Sequence, residues 1–164
     1  MFYLITGYPG TGKSTLSFIL GHEYSFKVVN DKEFSKLNNL GEESKKENEY
    51  IVDITKLNKE FSKFIRKNKN ENMIFEGHLW GEMSKSNLMQ FKKIVFLNTD
   101  PKLLRKRYEE RNYSQIKIEE NLFCEETKYI ETILNSKGIK YILINTITNE
   151  VKNIKELKSK LNLK

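Results

Sequence analysis

The chain of 164 residues has a single cysteine, Cys124, so no internal disulfide can staple it. That usage fits a reducing compartment. It has only two prolines, and no stretch rich in Pro, Gly or Ser separates one half from the other. No apolar run approaches the roughly 20 residues that a membrane-spanning helix requires. The opening residues, Met1 to Thr6, carry no basic leader of the kind that begins a signal peptide. No internal repeat is visible. These absences lead to one expectation: a single domain over 1–164, soluble, with no membrane contact. Its expected place is the cytoplasm, or the nucleus if the source is eukaryotic.

Charge and apolar clustering are what the chain does have. Lys and Arg number 29 against 22 Asp and Glu, a formal net charge of +7. Such a balance suits anionic partners, nucleotides or RNA. The lysines are spread along the whole chain, however, as an ordinary solvated surface would have them. Apolar residues make up 38% and gather in short runs, enough for a core at this length.

The runs alternate with amphipathic stretches, the pattern of βα units around a parallel sheet. Strands are expected at Phe2–Thr6, Phe26–Val29, Asn72–Glu76, Lys93–Leu97 and Tyr141–Ile144. Helices are expected at Lys13–Leu20 and at Ile54–Arg66, the latter with Leu57, Phe61, Phe64 and Ile65 inward. Another starts at Asp100-Pro101, an N-cap followed by proline at the first helical position, and runs to Arg111. A long helix is expected from Ile116 to Leu134, ended by Gly138. A last one carries Val151, Ile154, Leu157 and Leu161. Residues 31–55 are polar and read as irregular, either a surface loop or a flap over a second substrate. Five strands and about seven helices make a three-layer α/β fold.

Gly7 to Ser14 meets the pattern G-x-x-x-x-G-K-[ST] in full, between an apolar strand and a helix. Gly7, Gly10 and Gly12 bring backbone N–H groups close to phosphate oxygens, and the helix N-terminus completes an anion nest. Lys13 neutralises the β- and γ-phosphates of ATP, Ser14 offers a hydroxyl to Mg²⁺, and Thr15 reaches the α-phosphate. The loop establishes phosphate binding and leaves the reaction open.

Other polar residues cluster at expected strand ends. Glu76 ends the run Met73-Ile74-Phe75, where a P-loop enzyme usually places an acid for Mg²⁺. His78 follows at the carboxyl edge of the sheet, where ligands of such folds bind. The pair is either functional or a plain strand-to-loop junction. His22, after the first helix, reads as surface. Arg107 and Arg111, four residues apart, share one helix face, and Arg105 points largely the other way. The two are either a phosphate clamp or part of a solvated helix partnered by Glu109 and Glu110.

The run Val95-Phe96-Leu97-Asn98-Thr99-Asp100, with Leu104, Arg107, Arg111-Asn112-Tyr113, Lys117, Asn121 and Cys124-Glu125, resembles the atypical adenylate kinase family. This is the isoenzyme 6 type, with a yeast ribosome-assembly relative and archaeal members. The resemblance covers nearly the whole chain. It implies a P-loop nucleoside monophosphate kinase with a five-stranded parallel sheet. Gly10, Gly12, Lys13, Ser14 and Thr15 would bind ATP phosphates. Residues 30–53 would form the monophosphate-binding region and 109–119 a short lid bearing the ATP-contacting Arg111. His78 aligns with the family's functional histidine. Glu76 stands where the family has aspartate, Lys36 near an arginine for the monophosphate, and Asn112 where glycine is common.

Three functions follow as expectations. The first is ATP + AMP = 2 ADP with Mg²⁺, in which Lys13, Arg107 and Arg111 stabilise the moving phosphoryl group. Ser14 and Glu76 hold the metal, and His78 orients the acceptor or a water. The second is an ATPase whose turnover switches binding to a ribosomal protein or rRNA during small-subunit assembly. The third is a small-metabolite kinase, which the segment from Arg107 to Cys124 speaks against.

Overall fold

The computed structural model describes residues 1–44 and 49–163. Five strands form one parallel sheet: β1 (Phe2–Gly7), β2 (Lys27–Asn30), β5 (Met73–Glu76), β6 (Lys93–Thr99) and β7 (Ile142–Thr146), in the order β2-β5-β1-β6-β7. Strands β3 (Gly41–Ser44) and β4 (Glu49–Val52) form a separate antiparallel pair. Eight α-helices are described: α1 (Lys13–Tyr24), α2 (Asp31–Leu37), α3 (Ile54–Lys67), α4 (Lys85–Leu88), α5 (Pro101–Glu110), α6 (Gln115–Glu126), α7 (Tyr129–Ser136) and α8 (Glu150–Leu161). A 3-10 turn covers Leu79–Glu82. The five sheet strands are the five expected from the apolar runs, with ends moved by one to two residues.

β1 lies at the centre, so its carboxyl end is flanked by the ends of β5 and β6. Register sets that edge. Ile5 stands opposite Glu76, and Asn30 of β2 stands opposite Glu76 from the other side. The loop after β1, the turn after β5 and the start of α2 therefore open at the same edge, where ligands of open α/β sheets bind.

Both faces of the sheet are covered. One core layer holds Leu4, Phe34, Leu57, Phe61, Phe75, Trp80 and Phe91, and Trp80 is fully buried. Phe75 meets Phe61 and Trp80 at centroid distances of 5.3 Å, edge to face. Each such ring contributes roughly 1.5–3 kcal/mol through burial. The other layer packs Ile5, Leu16, Leu20, Val95, Ile144, Leu157 and Leu161. In α3, Leu57, Phe61 and Ile65 are buried as their spacing predicts. Phe64 is partly buried and turns its ring edgewise onto Phe34.

Two segments differ from expectation. Among the described residues, the stretch after β2 forms α2, β3 and β4 in place of the expected irregular loop. The Asn30 side chain accepts a hydrogen bond from the Glu33 N–H at 3.0 Å and starts α2. The Tyr50 hydroxyl accepts the Gly41 N–H at 2.8 Å and donates to the Ser35 carbonyl of α2 at 3.4 Å, which ties β4 to that helix. Residues 45–48, part of the expected monophosphate-binding span, lie outside the described residues. The expected helix 116–134 is two helices, α6 and α7, parted at Lys128, which adopts a left-handed φ of 50°. The break falls on a lysine, so no glycine marks it. Asn112, between α5 and α6, is also left-handed at φ 54°. Asp100 caps α5 by accepting the Lys102 N–H at 2.9 Å, with Pro101 first in the helix.

Candidate nucleotide-binding site

The loop from Gly7 to Ser14 turns from β1 into α1. Gly10 and Gly12 take φ of 78° and 93°, which aims successive backbone N–H groups into one concavity. Lys13 opens α1 and is buried at 8% exposure, a costly place for an ammonium. Burial lowers its pKa to about 8, against the opposing pull of the Asp31 and Glu76 carboxylates. Its Nζ donates to the Tyr8 carbonyl at 2.8 Å, and the Thr11 hydroxyl donates to the same oxygen at 2.9 Å. Tyr8 itself is buried against Phe96, and its hydroxyl donates to the Glu131 carboxylate of α7.

Ser14 meets Glu76 across the edge. Its Oγ lies 3.2 Å from both carboxylate oxygens, and the Asn30 amide donates to Oε1. Glu76 is 3% exposed, and burial raises its pKa, with the Asn30 bond and Lys13 opposing. Asn30 thus serves twice, with its oxygen on α2 and its nitrogen on Glu76. A serine hydroxyl beside a carboxylate is an all-oxygen donor set of the kind Mg²⁺ prefers.

Asp31 is a further buried acid at this edge, 2% exposed, that sequence reasoning missed. It accepts the Leu79 N–H at 2.8 Å and the Lys32 N–H at 2.7 Å, and its Oδ2 lies 3.8 Å from His78 Nδ1. Burial raises its pKa, while those bonds and Lys13 oppose the rise. The signal was present. Asn30-Asp31 ends one apolar run just as Glu76 ends another.

Arg107 and Arg111 line one cavity of about 280 Å³ together with Gly10, Gly12, Thr15, Ile147 and Thr148. The Arg107 Nη1 donates to the Gly10 carbonyl at 2.6 Å. Arg105 points elsewhere, as its spacing predicts, and pairs with Glu119 at 2.9 Å. The Tyr108 hydroxyl donates to the Pro9 carbonyl at 2.7 Å, so α5 is fastened to the loop at two points. Lys36, by contrast, is exposed on α2 and pairs with Glu43 of β3 at 3.0 Å. The structure brings together Gly10, Gly12, Lys13, Ser14, Thr15, Glu76, His78, Arg107 and Arg111 around one edge, and leaves Lys36 outside that group. Thr146, whose Oγ1 lies 3.1 Å from the Thr11 carbonyl, and Asn153 also belong to the cavity's surroundings, and no local motif marks either.

Fold and site together define the class: a P-loop protein of the nucleotide-kinase type. A family model described as "AAA domain" matches residues 4–128. A protein of Thermococcus kodakarensis described as "Putative adenylate kinase" is 31% identical over 134 residues, 82% of this chain and 68% of that protein. One of Methanocaldococcus jannaschii with the same description is 32% identical over 152 residues, 92% of this chain and 79% of that protein. Among solved structures, shikimate kinase from Acinetobacter baumannii in complex with shikimate superposes with a TM-score of 0.62 over 99% of this chain and 95% of that one. At 17% identity that likeness shows the fold alone. The chain belongs to this AAA-domain family, in the atypical adenylate kinase group with its archaeal relatives. Among the described residues, no helix is long and apolar enough to cross a membrane.

Proposed function

We propose that the protein transfers the γ-phosphate of Mg-ATP to AMP. The observation that carries this reading is the meeting of Ser14 and Glu76 at 3.2 Å beside the buried Lys13. Phosphoryl transfer needs mainly positioning and charge stabilisation. The loop amides and Lys13 would hold the β- and γ-phosphates, with Thr15 near the α-phosphate. Arg107 and Arg111, at the C-terminal end of α5, would meet the charge of the moving group. Ser14 and Glu76 fit Mg²⁺, since both offer hard oxygen and the buried carboxylate gains a cation. Bound there, Mg²⁺ would neutralise charge on the β- and γ-phosphates. His78, beside Asp31, would orient the acceptor.

Residues 30–53 would receive the monophosphate, a reading supported by α2, which stands against the turn that bears His78 and also against β4. Residues 109–119 would act as the lid. Support comes from Arg111 at the cavity wall and from Tyr113, stacked on Tyr108 at 5.7 Å and covered by Lys117 at 4.9 Å. The test is ADP formation from Mg-ATP with and without AMP, then with CMP and UMP. AMP is expected to stimulate it most. Steady hydrolysis that AMP does not stimulate would sink the transferase reading.

One observation favours hydrolysis as a second reading. Lys36 is engaged by Glu43, and no arginine occurs between residues 30 and 53 to fork a phosphate. An ATPase with this site and a +7 chain would suit a ribosomal protein or rRNA partner. Pull-downs in ATP and in ADP would then differ; identical partner sets in both would exclude a nucleotide switch.

A further inference from the structure

The phosphate loop accounts for one end of the cavity. The other end is bounded by Arg111 and by the loop Ile147–Asn149 between β7 and α8. That loop has little burial to hold it, since Ile147 is 45% exposed. Side-chain bonds hold it instead. On its upstream side, the Thr146 hydroxyl lies 3.1 Å from the Thr11 carbonyl and 3.1 Å from the Asn98 carbonyl, and it also meets the Thr99 hydroxyl. The start of the loop is thereby tied to the phosphate loop.

On its downstream side stands Asn153, buried in the first turn of α8. Its Oδ1 accepts the Ile147 N–H at 3.0 Å, and its Nδ2 donates to the Ile147 carbonyl at 2.7 Å. One carboxamide thus satisfies both backbone groups of one loop residue. The same two bonds engage both ends of the carboxamide, so what Asn153 sets is where Ile147 and Thr148 stand. We infer that Asn153 is a positioning residue for the base end of the donor nucleotide site. It shapes the wall against which the nucleoside of ATP rests and leaves the phosphate nest untouched. This rests on the reading of the cavity as the ATP site.

The test compares two ligands by calorimetry: Mg-ATP, which has a base, and inorganic tripolyphosphate, which has only the phosphates. In Asn153→Ala, ATP is expected to bind about tenfold more weakly, the scale of one buried hydrogen bond, with tripolyphosphate binding unchanged. An equal loss for both ligands, or no loss for either, overturns the inference. If the wild-type chain binds tripolyphosphate but not ATP, the donor-site reading itself falls. Asn153→Gln keeps both the amide donor and the amide acceptor and moves them by one methylene. It is expected to show a smaller loss of the same selectivity, and it decides the matter if the alanine variant does not fold. A parallel loss of both ligands in the Gln variant overturns the inference.

Discussion

The Asp31 carboxylate occupies the space that a side chain at Gly77 would need. A Cβ built on Gly77, whose φ is 137°, would lie 2.0 Å from Asp31 Cγ. The two residues are 46 positions apart, and their contact decides the path of the turn that carries His78. Asp31 accepts the Leu79 N–H from that turn, so carboxylate and glycine together fix where the histidine stands.

Gly77→Ala is therefore expected to destabilise the protein by at least about 2 kcal/mol, from the disfavoured φ and the clash with a buried carboxylate. Urea unfolding checks this. A variant within about 0.5 kcal/mol of wild type would show that the turn relaxes freely.

Lys13→Met is expected to abolish turnover and yet to raise stability at pH 7. The folded pKa of about 8 lies below the ordinary 10.5, so the unfolded chain holds the proton more firmly than the fold does. Stability from this group rises with pH between those values, and the full penalty is present below pH 8. Relief of it is worth at most about 3 kcal/mol, reduced by loss of the bond to the Tyr8 carbonyl. Denaturation at pH 7 without nucleotide or metal measures the gain; a large loss of stability would contradict the assigned cost.

Ser14→Ala and Glu76→Gln are expected to raise the Mg²⁺ concentration needed for half-maximal turnover, each by about tenfold or more, the scale on which groups around a metal set its affinity. A Mg²⁺ titration at fixed ATP decides it. An unshifted midpoint in both variants would remove them from the metal site.

Glu43→Gln releases Lys36 from an exposed ion pair, 54% and 64% exposed at its two ends. Such pairs are worth less than about 1 kcal/mol, so stability should hardly change. If Lys36 serves the monophosphate, KM for AMP should fall about two- to fivefold with KM for ATP unchanged. An unmoved KM for AMP would leave Lys36 without a role in the acceptor site.

Much of the candidate site was legible because its signals are local. Gly7 to Ser14 is contiguous, and its chemistry depends on backbone conformation that glycine spacing announces. Glu76 and His78 were legible for a related reason: a polar residue closing a buried parallel strand must lie at the sheet's carboxyl edge. Helical spacing put Arg107 and Arg111 on one face but left open whether that face meets solvent or a site; the structure turns both to the cavity. Asp31 was overlooked although it obeys the strand-end rule, because the polar stretch after it reads as loop. The break at Lys128 carried no glycine or proline to mark it, since the left-handed residue is a lysine.

The sequence by itself determined the alternation of buried strands and amphipathic helices, the phosphate loop and the ends of β2 and β5, all of which depend on neighbours within a few residues. Only the tertiary structure decided the partners. Asp31 came to rest on Gly77 because β2 and β5 are adjacent in register. Tyr8 came to Glu131 because α7 packs against the turn Leu79–Glu82, which itself lies against β1. Such pairings depend on which faces meet once the core closes, and residues 46 or 123 positions apart carry no mark of each other in the chain.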